Sequence, residues 1–164
     1  MARRGLIAGA LMAAGVVLAA AFSASAGDDA GRAYGMRAGY GSDPDQFVIG
    51  AQADLGKTYK WVHFCPSIDA GIGDHITTIG FNGDFKAFLP LPKSSFAFYG
   101  LAGPTIEYWS WDGGASDTEI GIYLGGGVRA AFGGSGWYNF ELRAGIGDVP
   151  ELRILLGVLF GGRS

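Results

Sequence analysis

Apolar and polar residues alternate along most of this chain. The clearest run extends from Tyr138 to Gly147, where every second residue is apolar and the residues between include Glu141 and Arg143. Successive side chains of a β-strand point to opposite faces, so this run predicts a strand with one apolar and one polar face. Further runs of roughly ten residues alternate in the same way between clusters of turn-forming residues. The predicted strands are residues 33–40, 46–55, 59–73, 76–88, 95–108, 118–132, 138–147 and 151–160.

Two barrel architectures are built from eight consecutive antiparallel strands, and they differ in whether the apolar face of each strand points into or out of the barrel. In a soluble lipocalin-like barrel the apolar face lines the interior. In a transmembrane barrel the apolar face contacts lipid and the interior is polar. The polar face here is rich in glycine and poor in Lys, Glu, Ser and Thr, which is typical of a crowded interior. The sequence therefore favours an all-β, eight-stranded antiparallel up-and-down transmembrane barrel, and a soluble periplasmic lipocalin-like carrier of an apolar ligand is the alternative.

Charged residues of both signs lie on the same face as the glycines. A buried charge is costly unless it is paired, so alternating signs on neighbouring strands predict an ion-paired network that fills the lumen. A barrel of eight strands is just wide enough for side chains to fill, and we expect no open solute pore. Pro66 and Pro104 leave the registers of the third and fifth strands open. The predicted lumenal charge network is Arg37, Asp54, Asp69, Asp84, Lys86, Glu119, Arg129, Glu141, Arg143, Glu151 and Arg153.

The connections between strands separate into two sets. With a periplasmic N-terminus, short periplasmic turns are expected at Gly56-Lys57, 89–94 and 133–136. Of the outer connections, residues 109–117 form the longest. Its aromatic residues suggest a surface binding loop for a glycan or a protein, whereas the competing interpretation is that they anchor the outer membrane interface. The candidate loop residues are Tyr108, Trp109, Trp111 and Asp112.

The N-terminus has the features of a secretory signal. Arg3 and Arg4 precede an apolar stretch, and Ala24-Ser25-Ala26 has the Ala-x-Ala form of a cleavage site, which predicts a signal peptide over 1–26 and a barrel domain over 27–164. Removal of the two arginines leaves 10 Lys and Arg against 15 Asp and Glu, a net charge of −5 that disfavours nucleic-acid binding. We predict no metal, because the single cysteine and two histidines lack the spacing of a metal site, and no cofactor.

Catalysis would need a histidine within reach of a nucleophile. His63 and Ser67 share a face but are separated by roughly 13 Å along an extended strand, and His75 lies in a predicted turn. We therefore predict that the protein is not an enzyme, with a lipid A-modifying barrel enzyme as the less favoured alternative.

Together these features resemble the small outer-membrane β-barrel proteins of Gram-negative bacteria, the superfamily that includes the OmpA and OmpX barrels. The resemblance covers residues 33–160 and extends to the glycine-aromatic segments 99–103 and 124–129. It implies a monomer in the cell outer membrane that contacts lipid and lipopolysaccharide and is assembled by the barrel-insertion machinery. Family members usually end on an aromatic residue, whereas Gly-Gly-Arg-Ser follows Phe160 here. That departure bears on the efficiency of insertion rather than on the fold.

Overall fold

The computed structural model describes residues 31–89, 91 and 94–161, and the predicted signal peptide lies outside them. Strands account for most of the described residues. No helix in this part of the chain is long and apolar enough to cross a membrane. The strands are β1 (Ala33–Ser42), β2 (Gln46–Asp54), β3 (Lys57–Tyr59), β4 (Val62–Gly73), β5 (Ile76–Phe88), β6 (Phe96–Trp111), β7 (Ser116–Phe132), β8 (Gly136–Gly147) and β9 (Leu152–Gly161).

The sheet closes on itself. Each long strand pairs antiparallel with its neighbours in the chain, and β1 also pairs with β9. The short β3 continues the course of β2 alongside β4, so β2 and β3 together act as one barrel strand. The nine segments therefore form a closed, eight-stranded, antiparallel up-and-down barrel, which confirms the predicted fold class.

Alternation along each strand divides the side chains between the lumen and the outer surface. On β8, Glu141 and Arg143 are buried in the lumen while Leu142 is exposed outside. Large apolar side chains cover the outer surface, with exposed fractions of 56% for Phe81 and 63% for Leu156. A soluble protein exposes few apolar patches of this extent. The polar interior and apolar exterior are the reverse of the arrangement in a lipocalin-like carrier.

Prolines explain the two strands whose register the sequence left open. Pro66 on β4 lies opposite Gly83 on β5, just outside the segment in which β4 pairs with β2. Pro104 on β6 pairs with Ile122 on β7, and the β5–β6 pairing is interrupted beside it. A proline cannot donate a ladder hydrogen bond, so both residues lie where the pairing is incomplete.

Two connections differ from the sequence prediction. The chain does not turn at Gly56-Lys57, because β3 extends the hairpin and the reversal occurs at Lys60-Trp61, with Lys60 at a φ of 46°. The predicted outer loop 109–117 is also shorter than expected, since β6 continues through Trp111 and β7 begins at Ser116. In both places, cross-strand pairing continues through residues that the sequence analysis assigned to a turn or loop.

The two ends of the barrel are distinguished by their connections. The N/C end holds Ala33 and Gly161 together with the β3–β4, β5–β6 and β7–β8 turns. The loop end holds the connections that follow β1, β4, β6 and β8.

Candidate functional site

The centre of the lumen is organised around Glu141. Its carboxylate accepts hydrogen bonds from Lys86 Nζ at 2.8 Å, from Arg143 Nη2 at 2.8 Å and from Asn139 Nδ2 at 3.0 Å. Arg143 also donates to Asp84 at 2.7 Å. These side chains come from β5 and β8, which lie on different sides of the barrel. The Lys86–Glu141 and Arg143–Asp84 pairs therefore cross the lumen, whereas the Arg143–Glu141 pair lies along β8.

A second cluster surrounds Asp69. Arg37 Nε donates to its Oδ1 at 2.8 Å, and Asn82 Nδ2 donates to its Oδ2 at 2.9 Å. Arg153 Nη1 lies 3.7 Å from the same carboxylate. Arg37 also reaches to within 4.0 Å of Glu141, so the two clusters are continuous. All of these charges are buried, and each has a partner of opposite sign.

The loop-end side of the network contains a carboxylate that the sequence analysis left out. Glu107 is fully buried, accepts a hydrogen bond from Tyr123 Oη at 2.8 Å and lies 2.9 Å from Arg153 Nη2. Glu107 is the single charged residue in the largely apolar fifth predicted strand, residues 95–108. This isolated charge was the sequence feature that could have indicated a lumenal position. Its face could not be assigned because Pro104 left the register open.

Near the N/C end the network finishes at Asp54. Arg129 Nη1 donates to Asp54 Oδ2 at 2.7 Å, and His63 Nδ1 lies 2.8 Å from Oδ1. The Gly56 N–H also donates to Oδ1 at 2.9 Å. The sequence placed Asp54 and Arg129 in the lumen but did not pair either with His63. Between β2 and β3, Leu55 and Gly56 interrupt the strand, and Gly56 has a φ of 86°.

Two predicted members of the network lie outside it. Glu151 is exposed and precedes β9, while Glu119 is partly exposed on β7 near the loop end. No ion pair joins either to the described side chains of the lumen. The prediction for these two residues is wrong because strict alternation was extended beyond the rim, where an inward-pointing side chain reaches solvent.

Neutral polar side chains also lie in the lumen. Gln52 donates to Asn139 at 2.9 Å across the barrel, and Thr78 donates to Gln46 at 2.7 Å. Tyr123 lies under the Arg153 guanidinium, with 5.1 Å between Cζ and the ring centroid. Charged, amide and aromatic groups therefore all contribute side chains to the lumen.

The residues proposed as a surface binding loop occupy different environments. Tyr108 is exposed on the outer surface, whereas Trp109 and Trp111 lie on the lumen-facing side of β6, opposite the buried Thr78 and Ile76. Their rings are 5.9 Å apart. Only Asp112 lies in the turn, where its carboxylate is 3.0 Å from His75 Nδ1. The tryptophans thus stand over the mouth of the lumen and not in the outer interface.

Charge is distributed unequally between the ends. None of the described connections at the loop end contains Lys or Arg, whereas the N/C end exposes Arg32, Lys57 and Lys60. The exposed or partly exposed carboxylates at or near the loop end are Asp43, Asp45, Asp74, Asp112, Asp117, Glu119, Asp148 and Glu151.

The histidines are engaged with carboxylates. His63 contacts Asp54, while Ser67, its candidate nucleophile, accepts a hydrogen bond from Arg37 Nη2 at 2.7 Å. The two side chains therefore do not form a catalytic pair in this structure. Within the part of the chain that the structure describes, no group of three or more His, Cys, Asp or Glu residues is arranged to hold a metal ion.

A closed eight-stranded barrel with a charged lumen and an apolar exterior defines the OmpA and OmpX type of fold. No family model and no curated protein sequence matches the chain. Among solved structures, it is similar to the N-terminal β-barrel domain of Pseudomonas aeruginosa OprF, with a TM-score of 0.64 and 15% identity over 80% of this chain and 97% of that one.

Two further structures show the same fold. Neisserial surface protein A gives a TM-score of 0.61 at 14% identity, covering 79% of this chain and 94% of that chain. The Yersinia pestis outer membrane protein Ail in a phospholipid bilayer nanodisc gives 0.51 at 11% identity, covering 79% and 98%. The predicted resemblance to small outer-membrane barrels is confirmed at the level of the fold.

Proposed function

We propose that this chain is an integral protein of the cell outer membrane with a structural or surface-interaction role and no catalytic one. The observation that carries the proposal is the arrangement of the two faces, with apolar side chains outside and paired charges inside. An apolar outer surface is stable in lipid, where every backbone polar group of a closed barrel is already hydrogen-bonded. In this proposal the barrel contacts membrane lipid and lipopolysaccharide, and the barrel-insertion machinery inserts it into the membrane.

The closed sheet also supports a monomer. Unpaired strand edges favour association with another chain, and closure of the barrel removes them. Every long strand here has partners on both sides. The N/C end, which carries the exposed basic residues, is the proposed periplasmic end.

Fractionation and gel mobility test the membrane placement. We expect the protein in the outer membrane fraction, soluble only in detergent, and with a gel mobility that changes when the folded barrel is heated. A similar-sized soluble periplasmic protein provides the control. Recovery of the chain in the periplasm without detergent would contradict the proposal.

Conductance tests the closed lumen. Because paired side chains cross the barrel around Glu141 and Asp69, we expect folded protein in a planar bilayer to show no stable ion conductance. An open porin in the same bilayer is the positive control. Long-lived openings in the wild-type protein would show that the network does not fill the lumen.

The surface role is supported by the aromatic residues at the loop end. Trp111 and Asp112 are exposed beside the β6–β7 turn, where a glycan or protein could contact them. Binding of such a partner should weaken when Trp109 and Trp111 are both changed to alanine. If binding is unchanged in this double variant, the two tryptophans are not part of the binding surface.

A further inference from the structure

The charges exposed at the N/C end of the barrel are all positive. The sequence places no Asp or Glu in the connections at this end, 55–61, 89–95 and 133–135. Asp54, the last residue of β2, is buried and already contacts Arg129 and His63. Lys57 and Lys60 are exposed in the β3–β4 hairpin, and within the described residues neither is ion-paired to a carboxylate. This end therefore presents positive charge that the described carboxylates do not neutralise.

Two exposed aromatic residues flank Lys60. Its Nζ lies 5.2 Å from the centroid of the Tyr59 ring and 6.0 Å from that of the Trp61 ring. Tyr59 is 64% exposed and Trp61 is 53% exposed. A lysine ammonium group has three N–H donors, and no acceptor in the described part of the chain binds those of Lys60. The turn thus combines a cation whose donors are available with exposed aromatic surface.

The backbone holds this turn in a defined place. Lys60 has a φ of 46°, in the left-handed region, where lysine is uncommon and glycine or asparagine is favoured. The Phe88 N–H donates to the carbonyl of Trp61 at 3.0 Å, which ties the turn to β5. The side chain of Lys60 therefore extends from a fixed position at the N/C end.

The turn adjoins the apolar outer face of the barrel. Tyr59 pairs with Val62, and Val62 pairs with Ala87. Directly paired residues of antiparallel strands share a face, and Ala87 is on the outer face because the adjacent Lys86 is buried in the lumen. Tyr59 therefore lies on the outer face. Tyrosine and tryptophan are enriched where a membrane meets water. In the proposed membrane placement, this turn lies at the level of the lipid headgroups.

We propose that the turn Tyr59-Lys60-Trp61, together with Lys57, binds the headgroups of anionic phospholipids in the leaflet at the N/C end. The headgroup phosphate accepts from Lys60, and the two rings pack against the lipid beneath it. A zwitterionic lipid fits less well, because its own ammonium group opposes the lysines. A lipid is favoured over a soluble acidic protein because Tyr59 lies on the apolar outer face. This inference rests on the proposed membrane placement.

Fluorescence quenching by brominated lipids tests the proposal. Vesicles contain phosphatidylcholine and phosphatidylglycerol in one fixed proportion, with bromine on the acyl chains of either one or the other lipid. The difference between each protein and the same protein with Trp61→Phe isolates the signal of Trp61. Because one lysine near an anionic membrane strengthens association about fivefold, we expect phosphatidylglycerol to contact Trp61 with about fivefold preference. Equal preference for the two lipids would overturn the proposal.

Two matched variants locate the preference. Lys60→Gln should lower it to about twofold or less, because it removes the cation between the rings. Gly113→Asp lowers the net charge by the same amount at the opposite end, in open space, and should leave the preference unchanged. An unchanged preference in Lys60→Gln, or an equal loss in Gly113→Asp, rejects the site. If Lys60→Gln does not fold, salt decides, since 1 M salt should remove most of the wild-type preference.

Heat-modifiable mobility in the same vesicles separates this inference from the membrane placement. Failure to insert contradicts the placement, whereas an inserted protein with no preference for phosphatidylglycerol contradicts the lipid site alone. A soluble polyglutamate peptide is the competing probe. If it binds the folded protein in micelles, Lys60→Gln abolishes that binding and the vesicles show no lipid preference, the basic end is a docking surface for an acidic protein and the lipid site is rejected.

Discussion

Leu142 tests, at a single position, whether the outer face contacts lipid. It is 43% exposed on β8, between the inward-facing Glu141 and Arg143. We expect Leu142→Arg to destabilise the folded barrel by about 2–4 kcal/mol, since a cation near mid-membrane loses its hydration. Denaturant unfolding in lipid vesicles measures the change.

Ile120 provides the matched control for that change. It is a 70% exposed residue on the same outer surface, but it lies close to the loop end, opposite Ile106. Ile120→Arg should cost only about 0–1 kcal/mol, because cost falls with distance from the membrane centre. Equal effects at both positions would contradict a membrane around the barrel.

Glu141 tests the lumen in the same way. Its carboxylate joins Lys86 and Arg143, and it is fully buried. Glu141→Gln should destabilise the barrel by about 3–5 kcal/mol, because it leaves buried cations undercompensated. The double variant Lys86→Met with Glu141→Gln removes a cation as well and should recover part of the loss. A double variant that is less stable than the single one would show that the pair is not coupled as proposed.

Close approach between strands gives a prediction at the scale of an element. A Cβ on Gly39 of β1 would overlap the carbonyl oxygen of Ile154 on β9. Gly39→Ala must therefore move two paired strands apart, and we expect a loss of about 1–3 kcal/mol in unfolding free energy.

The control for Gly39 is a glycine with free space. Nothing lies within 4 Å of a Cβ built on Gly113, in the β6–β7 turn, so Gly113→Ala should stay within about 0.5 kcal/mol of wild type. If Gly39→Ala is equally mild, the contact between β1 and β9 is looser than the structure indicates.

Elements were predictable from the sequence wherever alternation was unbroken. The alternation over residues 138–147 predicted both strand β8 and which of its faces is apolar, because successive side chains of a β-strand point to opposite faces. The ends of strands were not predictable, since pairing with a neighbour extends β6 and β3 through residues that also favour turns. The His63–Asp54 contact was missed for the same reason, because it depends on the course of the chain between β2 and β4.

At the scale of the whole molecule, the unequal charge of the two ends makes the proposed orientation testable. Trypsin cleaves after Lys and Arg, which are absent from the described loop-end connections but exposed at Lys57 and Lys60. We expect trypsin added to intact cells to leave the protein whole, and permeabilisation of the outer membrane to expose the N/C end to cleavage.

An engineered site separates orientation from simple resistance to the protease. Gly113 lies in the exposed β6–β7 turn with no neighbour that a new side chain would meet. If the loop end faces outward, the Gly113→Lys variant should be cut into two fragments in intact cells, while wild-type protein in the same cells stays whole. The reverse result, in which the Gly113→Lys site is protected in intact cells and cut only after permeabilisation, would place the acidic end in the periplasm and invert the proposed orientation.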